Sequence, residues 1–105
     1  MAEIVTVEIN CPDAATAEAI AEALIGRRLA AAANVHAPIA SLYRWQGRIE
    51  RRAEVPLVLK TRAELLPALV EAARALHPDR TPAILSRPAA VPEDYHAWLL
   101  AETGP

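Results

Sequence analysis

The hydrophobic period of this chain alternates between that of a strand and that of a helix, and few folds accommodate the resulting order. Ile4-Val5-Thr6-Val7-Glu8-Ile9 is β-branched and ends at Cys11-Pro12-Asp13, which reads as a strand and its stop. Asp13 is placed to cap a helix whose apolar face is Ala17, Ile20, Ala21, Leu24 and Ile25, ending at Gly26-Arg27-Arg28. Val35, Ile39, Leu42 and Tyr43 precede Gly47, and Ile49, Val55, Leu57, Val58 and Leu59 follow it, so two long antiparallel strands are expected around that glycine. Pro38 should bend the first of them, and Pro56 must fall where its missing amide is not needed. Thr61-Arg62-Ala63-Glu64 has the form of a capping box ahead of Leu66, Leu69, Val70, Ala73 and Leu76, although Pro67 pushes the cap downstream. After His77-Pro78 come a short strand, Ile84-Leu85-Ser86, and a helix opened by Pro92 with Tyr95, Trp98 and Leu99 on one face.

The order β-α-β-β-α-β with a terminal helix is the split βαβ plan. It predicts an α+β, ferredoxin-like sandwich with a long hairpin between its second and third strands and both main helices on one face of an antiparallel sheet. A chain of 105 residues fits one such domain, residues 1–105, with no internal repeat or linker. Its second and fourth strands are edges, which need covering. Hydrophobic residues make up 53% of the chain, but alanine supplies many of them and aromatics only 4%. So lean a core predicts that further apolar surface is covered by another copy of the chain.

A net charge of −2 argues against a general polyanion binder, and Arg44, Arg48, Arg51 and Arg52 read as a solvated hairpin tip, so no nucleic-acid partner is expected. One cysteine allows no internal disulfide; with no signal-peptide pattern and no apolar run near ~18 residues, the expectation is a cytoplasmic protein without a membrane partner.

The residues that carry chemistry are sparse. The three glycines are isolated, which excludes a phosphate loop, and neither Ser41 nor Ser86 sits in a nucleophile elbow, so no enzyme is expected. Cys11 at a strand end reads first as a small buried hydrophobe. His77 could come near Cys11 in space, a soft pair suited to copper or zinc, with His36 a distant third; its plainer role is to cap its helix. Tyr43 and Trp45, two apart and on one face of a strand, spend scarce aromatics on a contact surface.

Taken together these residues resemble the divalent-cation-tolerance (CutA-type) family. The likeness runs through Cys11-Pro12-Asp13, Arg28-Leu29-Ala30-Ala31, Asn34, Ser41-Leu42-Tyr43-Arg44-Trp45-Gln46-Gly47, Leu59-Lys60-Thr61, Leu76-His77-Pro78 and Tyr95-His96-Ala97-Trp98-Leu99. The resemblance implies a homotrimer whose hairpins reach onto neighbouring subunits, similar in plan to PII-type signalling proteins. It implies copper or another divalent metal as the ion concerned, with His77 and Cys11 as candidate ligands. The alternative it implies is an adaptor trimer holding a small molecule or partner in inter-subunit clefts lined by Tyr43, Trp45, Lys60 and His77. The chain departs from the family pattern in carrying Ala32 where many members have cysteine, and Asp79 and Ala83 after His77-Pro78, so one thiol and one carboxylate are missing from the metal reading.

Overall fold

The computed structural model describes residues 2–105. Its elements are β1 (Ile4–Cys11), α1 (Ala14–Gly26), β2 (Ala32–Val35), β3 (Ile39–Trp45), β4 (Arg48–Arg62), α2 (Leu66–Leu76), β5 (Ile84–Ala89) and α3 (Glu93–Glu102). The sheet is antiparallel in the order β2-β4-β1-β5, and β3 pairs with the far end of β4. This is the ferredoxin-like arrangement, with the expected first arm of the hairpin broken into two strands. The break falls at His36-Ala37-Pro38, where the proline cannot continue the ladder.

Alternation along β1 and β4 separates two faces. Val7, Ile9, Leu57 and Leu59 are fully buried on one, in a single cluster with Ala17, Ile20 and Leu24 of α1 and Leu69 and Ala73 of α2. Thr6, Glu8, Asn10, Val58 and Lys60 point to the other and are partly exposed. Pro56 resolves simply. His36 N–H donates to the Pro56 carbonyl at 2.9 Å, so the backbone at Pro56 faces the break between β2 and β3 and no bond to β1 is lost.

Three local expectations change. Thr61 does not cap α2: it stays in β4, paired opposite Val5, and its hydroxyl donates to the Leu29 carbonyl at 2.7 Å. The helix begins after a short 3₁₀ turn (Ala63–Leu65), with Pro67 in its first turn and no side-chain cap. The last strand runs on to Ala89 and tolerates Pro88 because β5 is an edge. In α3 the inward residues are His96 and Leu99, while Trp98 turns outward and stacks on Tyr95 with ring centroids 5.6 Å apart.

Helix α1 starts and stops by side-chain and backbone chemistry. The Asp13 carboxylate accepts the Thr16 N–H at 2.8 Å, and that bond lowers its pKa. A carboxylate held below its unfolded value stabilises above the ordinary carboxylate range and ceases to as pH falls through the folded value. The Tm gap between the wild type and Asp13→Ala should therefore be full at neutral pH and shrink on acidification toward about pH 2. At the other end Arg28, at φ 60°, occupies the left-handed position of a Schellman motif, with Arg28 N–H on the Ile25 carbonyl and Leu29 N–H on the Leu24 carbonyl, both at 2.9 Å. The strain of a non-glycine residue there is offset by its guanidinium, which donates to the Gly104 and Ala101 carbonyls at 2.6 and 2.7 Å. Arg62 donates to the Thr103 carbonyl, so Arg62 ties the end of α3 to the sheet and Arg28 ties it to the end of α1.

Candidate functional site

Beyond Val55 strand β4 has no β1 partner, and residues 39–54 pair only with one another. The result is a two-stranded arm on a subunit whose overall extents, arm included, are 45 × 23 × 23 Å. Its tip is a two-residue turn with Gln46 at φ 51° and Gly47 at φ 79°, the type I′ geometry that the strand twist favours. Cross-strand pairing sets Tyr43 and Trp45 on one face with Arg52 and Glu54, and Leu42, Arg44 and Ile49 on the other with Arg51. The four arginines of the tip therefore do not form one patch. Leu42 is 57% exposed, Ile49 73% and Trp45 43%, so within one subunit the arm exposes large apolar side chains on both faces.

At the base of the arm lies a cleft of about 610 Å³, walled by Ser41–Trp45 of β3, Arg52 and Glu54 of β4, Asn10 of β1, and Asp79, Arg80, Thr81 and Ala83 of the α2–β5 connection. Its organising group is Arg52. The guanidinium donates to the Glu54 carboxylate at 2.8 Å and to the Asp79 carboxylate, and these pairs raise its pKa. Glu54 is buried, so its charge is tolerable only because Arg52 meets it. Asp79 is held in turn by its backbone, whose N–H donates to His77 Nδ1 at 3.0 Å. That donor makes Nδ1 an acceptor, so Nε2 carries the proton and donates to the Asn10 carbonyl at 2.7 Å.

The structure brings some of the expected site residues together and separates others. His77 reaches the backbone of Asn10, the residue before Cys11, but each of the two is engaged. Both ring nitrogens of His77 have protein partners. Cys11 is fully buried, its thiol directed at the Ile9 carbonyl, and burial, with Asp13, Glu54 and Asp79 nearby, pushes its pKa up to about 11. A thiol so placed stays protonated at neutral pH. Among the described residues no group of three His, Cys, Asp or Glu side chains converges as a metal site, and His36 sits exposed at the β2–β3 break. Tyr43 and Trp45 line the cleft; His77 stands behind Asp79, and Lys60 lies farther along β4, bonded to Asn34. Arg52, Glu54, Asp79 and Arg80 carry the cleft's charge, and sequence reasoning missed that role. The legible signal was Arg52 and Glu54, opposite charges two apart on one strand face; no sequence signal joins Asp79 to them across 27 positions.

Residues 5–102 match the family model described as CutA1 divalent ion tolerance protein. The chain belongs to that family. It is 38% identical over 105 residues to the divalent-cation tolerance protein CutA of Thermus thermophilus, covering 99% of this chain and 100% of that protein. It is 39% identical to mouse Protein CutA over 80 residues, 76% of this chain and 45% of the mouse protein, so it spans about half the length of that relative. The solved divalent cation tolerance protein (Cut A1) from Thermus thermophilus superposes with a TM-score of 0.92 at 38% identity, covering 96% of this chain and 99% of that one. A CutA from Archaeoglobus fulgidus, described as periplasmic, superposes at 0.91 with 30% identity over 94% of this chain and 97% of that one. The span matched by the CutA1 model, residues 5–102, takes in the whole arm. No helix of the described residues is long and apolar enough to cross a membrane.

Proposed function

We propose that this CutA1-family chain serves the cytoplasmic response to divalent metal ions, copper foremost, as a homotrimer in which the arm of each subunit lies on the next. The observation that carries the assembly is the arm itself. An isolated two-stranded hairpin is marginal in water, and this one has no core of its own, yet it exposes Leu42 and Ile49 on one face. A neighbour's surface would supply the missing layer. Metal contact in this reading is weak, because Cys11 must be uncovered and His77 must give up the Asn10 carbonyl or the Asp79 N–H before either can ligate. Sedimentation velocity at low micromolar concentration should return a trimer, and a monomer there would refute the assembly. Calorimetric titration with Cu(II) should give weak binding that falls in His77→Ala. Identical isotherms for the wild type, His77→Ala and Cys11→Ala would remove both residues as ligands.

A second reading is favoured by the cleft: a PII-like trimer that holds a small molecule at the base of the arm. The cleft volume lies in the range of small-molecule sites, and its walls combine two aromatic rings with a few fixed polar groups.

A further inference from the structure

We propose that the cleft binds a small monoanion with an aromatic or apolar body, Arg80 and the Arg52 Nε–H taking the anionic group and Tyr43 and Trp45 taking the body. This rests on the second reading above and names its ligand class. The first observation is an uncompensated donor. Arg52 spends one terminal nitrogen on both Glu54 and Asp79, while its Nε is buried and meets no protein acceptor. A buried N–H without a partner is costly, and an oxygen placed there recovers that cost.

The second observation is the charge of the walls: Arg52 and Arg80 face Glu54 and Asp79, while Arg44 belongs to the opposite face of the arm. Both carboxylates are consumed by Arg52, whereas Arg80 has no ion-pair partner among the described residues. A cationic ligand would meet the Arg52 guanidinium between the two acids. A second negative charge would face Glu54 and Asp79 themselves. One negative charge is what the walls accommodate, and a guanidinium matches a carboxylate in shape as well as in charge. The third observation is the pair of aromatic rings on the same strand face as Arg52, which provides flat apolar area beside the polar floor.

Isothermal titration with indole-3-acetate, its neutral alcohol analogue and tryptamine tests the charge preference on one shared body. The acetate should bind with Kd near about 1 mM or tighter, and the alcohol and the amine about tenfold weaker. Arg80→Ala should weaken the acetate by about tenfold and leave the alcohol unchanged; Trp45→Leu should weaken both. The proposal is overturned by equal affinity for acetate and alcohol, by an Arg80→Ala variant that binds acetate like the wild type, or by no acetate binding at about 5 mM. Sedimentation of the same samples separates the failures. A monomer that binds the acetate refutes the trimer alone, a trimer that binds alcohol and acetate equally refutes the ligand class alone, and a trimer that binds none of the probes refutes the cleft reading together with this one.

Discussion

Introducing Leu42→Asp together with Ile49→Asp should leave the chain monomeric at micromolar concentration if it assembles as the proposed trimer, with a lower and concentration-dependent Tm. The two residues lie on the same face of the arm, opposite Arg51 and Arg44, and are 57% and 73% exposed in the single subunit. Substitutions so exposed change the stability of an isolated subunit by only about 0.5 kcal/mol. Two carboxylates buried against a neighbour would instead cost several kcal/mol each, far more than an interface of ordinary quality tolerates. The contrast makes the variant diagnostic. Sedimentation velocity reads the mass and thermal unfolding at two concentrations reads the linkage. A double variant that retains the full assembly mass would place the interface elsewhere on the subunit.

Arg52→Ala should be the most damaging single change in the charged part of the cleft. It leaves the buried Glu54 carboxylate and the Asp79 carboxylate side by side with no cation between them. Removing one partner of a fully buried pair costs about 3–5 kcal/mol, and the 35% exposure of the Arg52 side chain lowers the expectation to about 2 kcal/mol. Adding Glu54→Gln to Arg52→Ala should recover part of the loss, because one uncompensated charge is gone. Urea unfolding of the single and double variants measures both terms. A double variant no more stable than Arg52→Ala would show that repulsion between the two carboxylates is not the source of the loss. Since the Arg52 pKa is raised from an already high value, the group stays charged throughout the working range, and its contribution should not vary between neutral and mildly alkaline pH.

Much of this fold is legible because its signals are local. Asp13 accepts the Thr16 N–H as its position before the apolar helix predicts, and Gln46-Gly47 turns as a short hairpin requires. The capping box at Thr61 misleads for a tertiary reason: pairing of Ile4 with Arg62 carries β4 past the motif, and Thr61 finds the Leu29 carbonyl instead of a helix amide. Pro56 looked like a violation only until the direction of its backbone was known. In α3 the helical spacing sets Tyr95 beside Trp98, but it does not show that His96 joins Leu99 in the interior, held by the Ala2 carbonyl at 2.8 Å, a contact no periodicity encodes.

The order of elements, the hairpin with its turn and the apolar face of each main helix are written along the chain, because periodicity, caps and turn residues act over a few neighbouring positions. What the scarce chemical groups do is settled by packing. It buried Cys11 in the apolar core, closed both nitrogens of His77, and joined Asp79 to Arg52 and Glu54 beneath the aromatic arm. These outcomes depend on the meeting of segments distant along the chain, where the pairing of a charge or the sealing of a thiol is set by packing and by the low polarity of the interior.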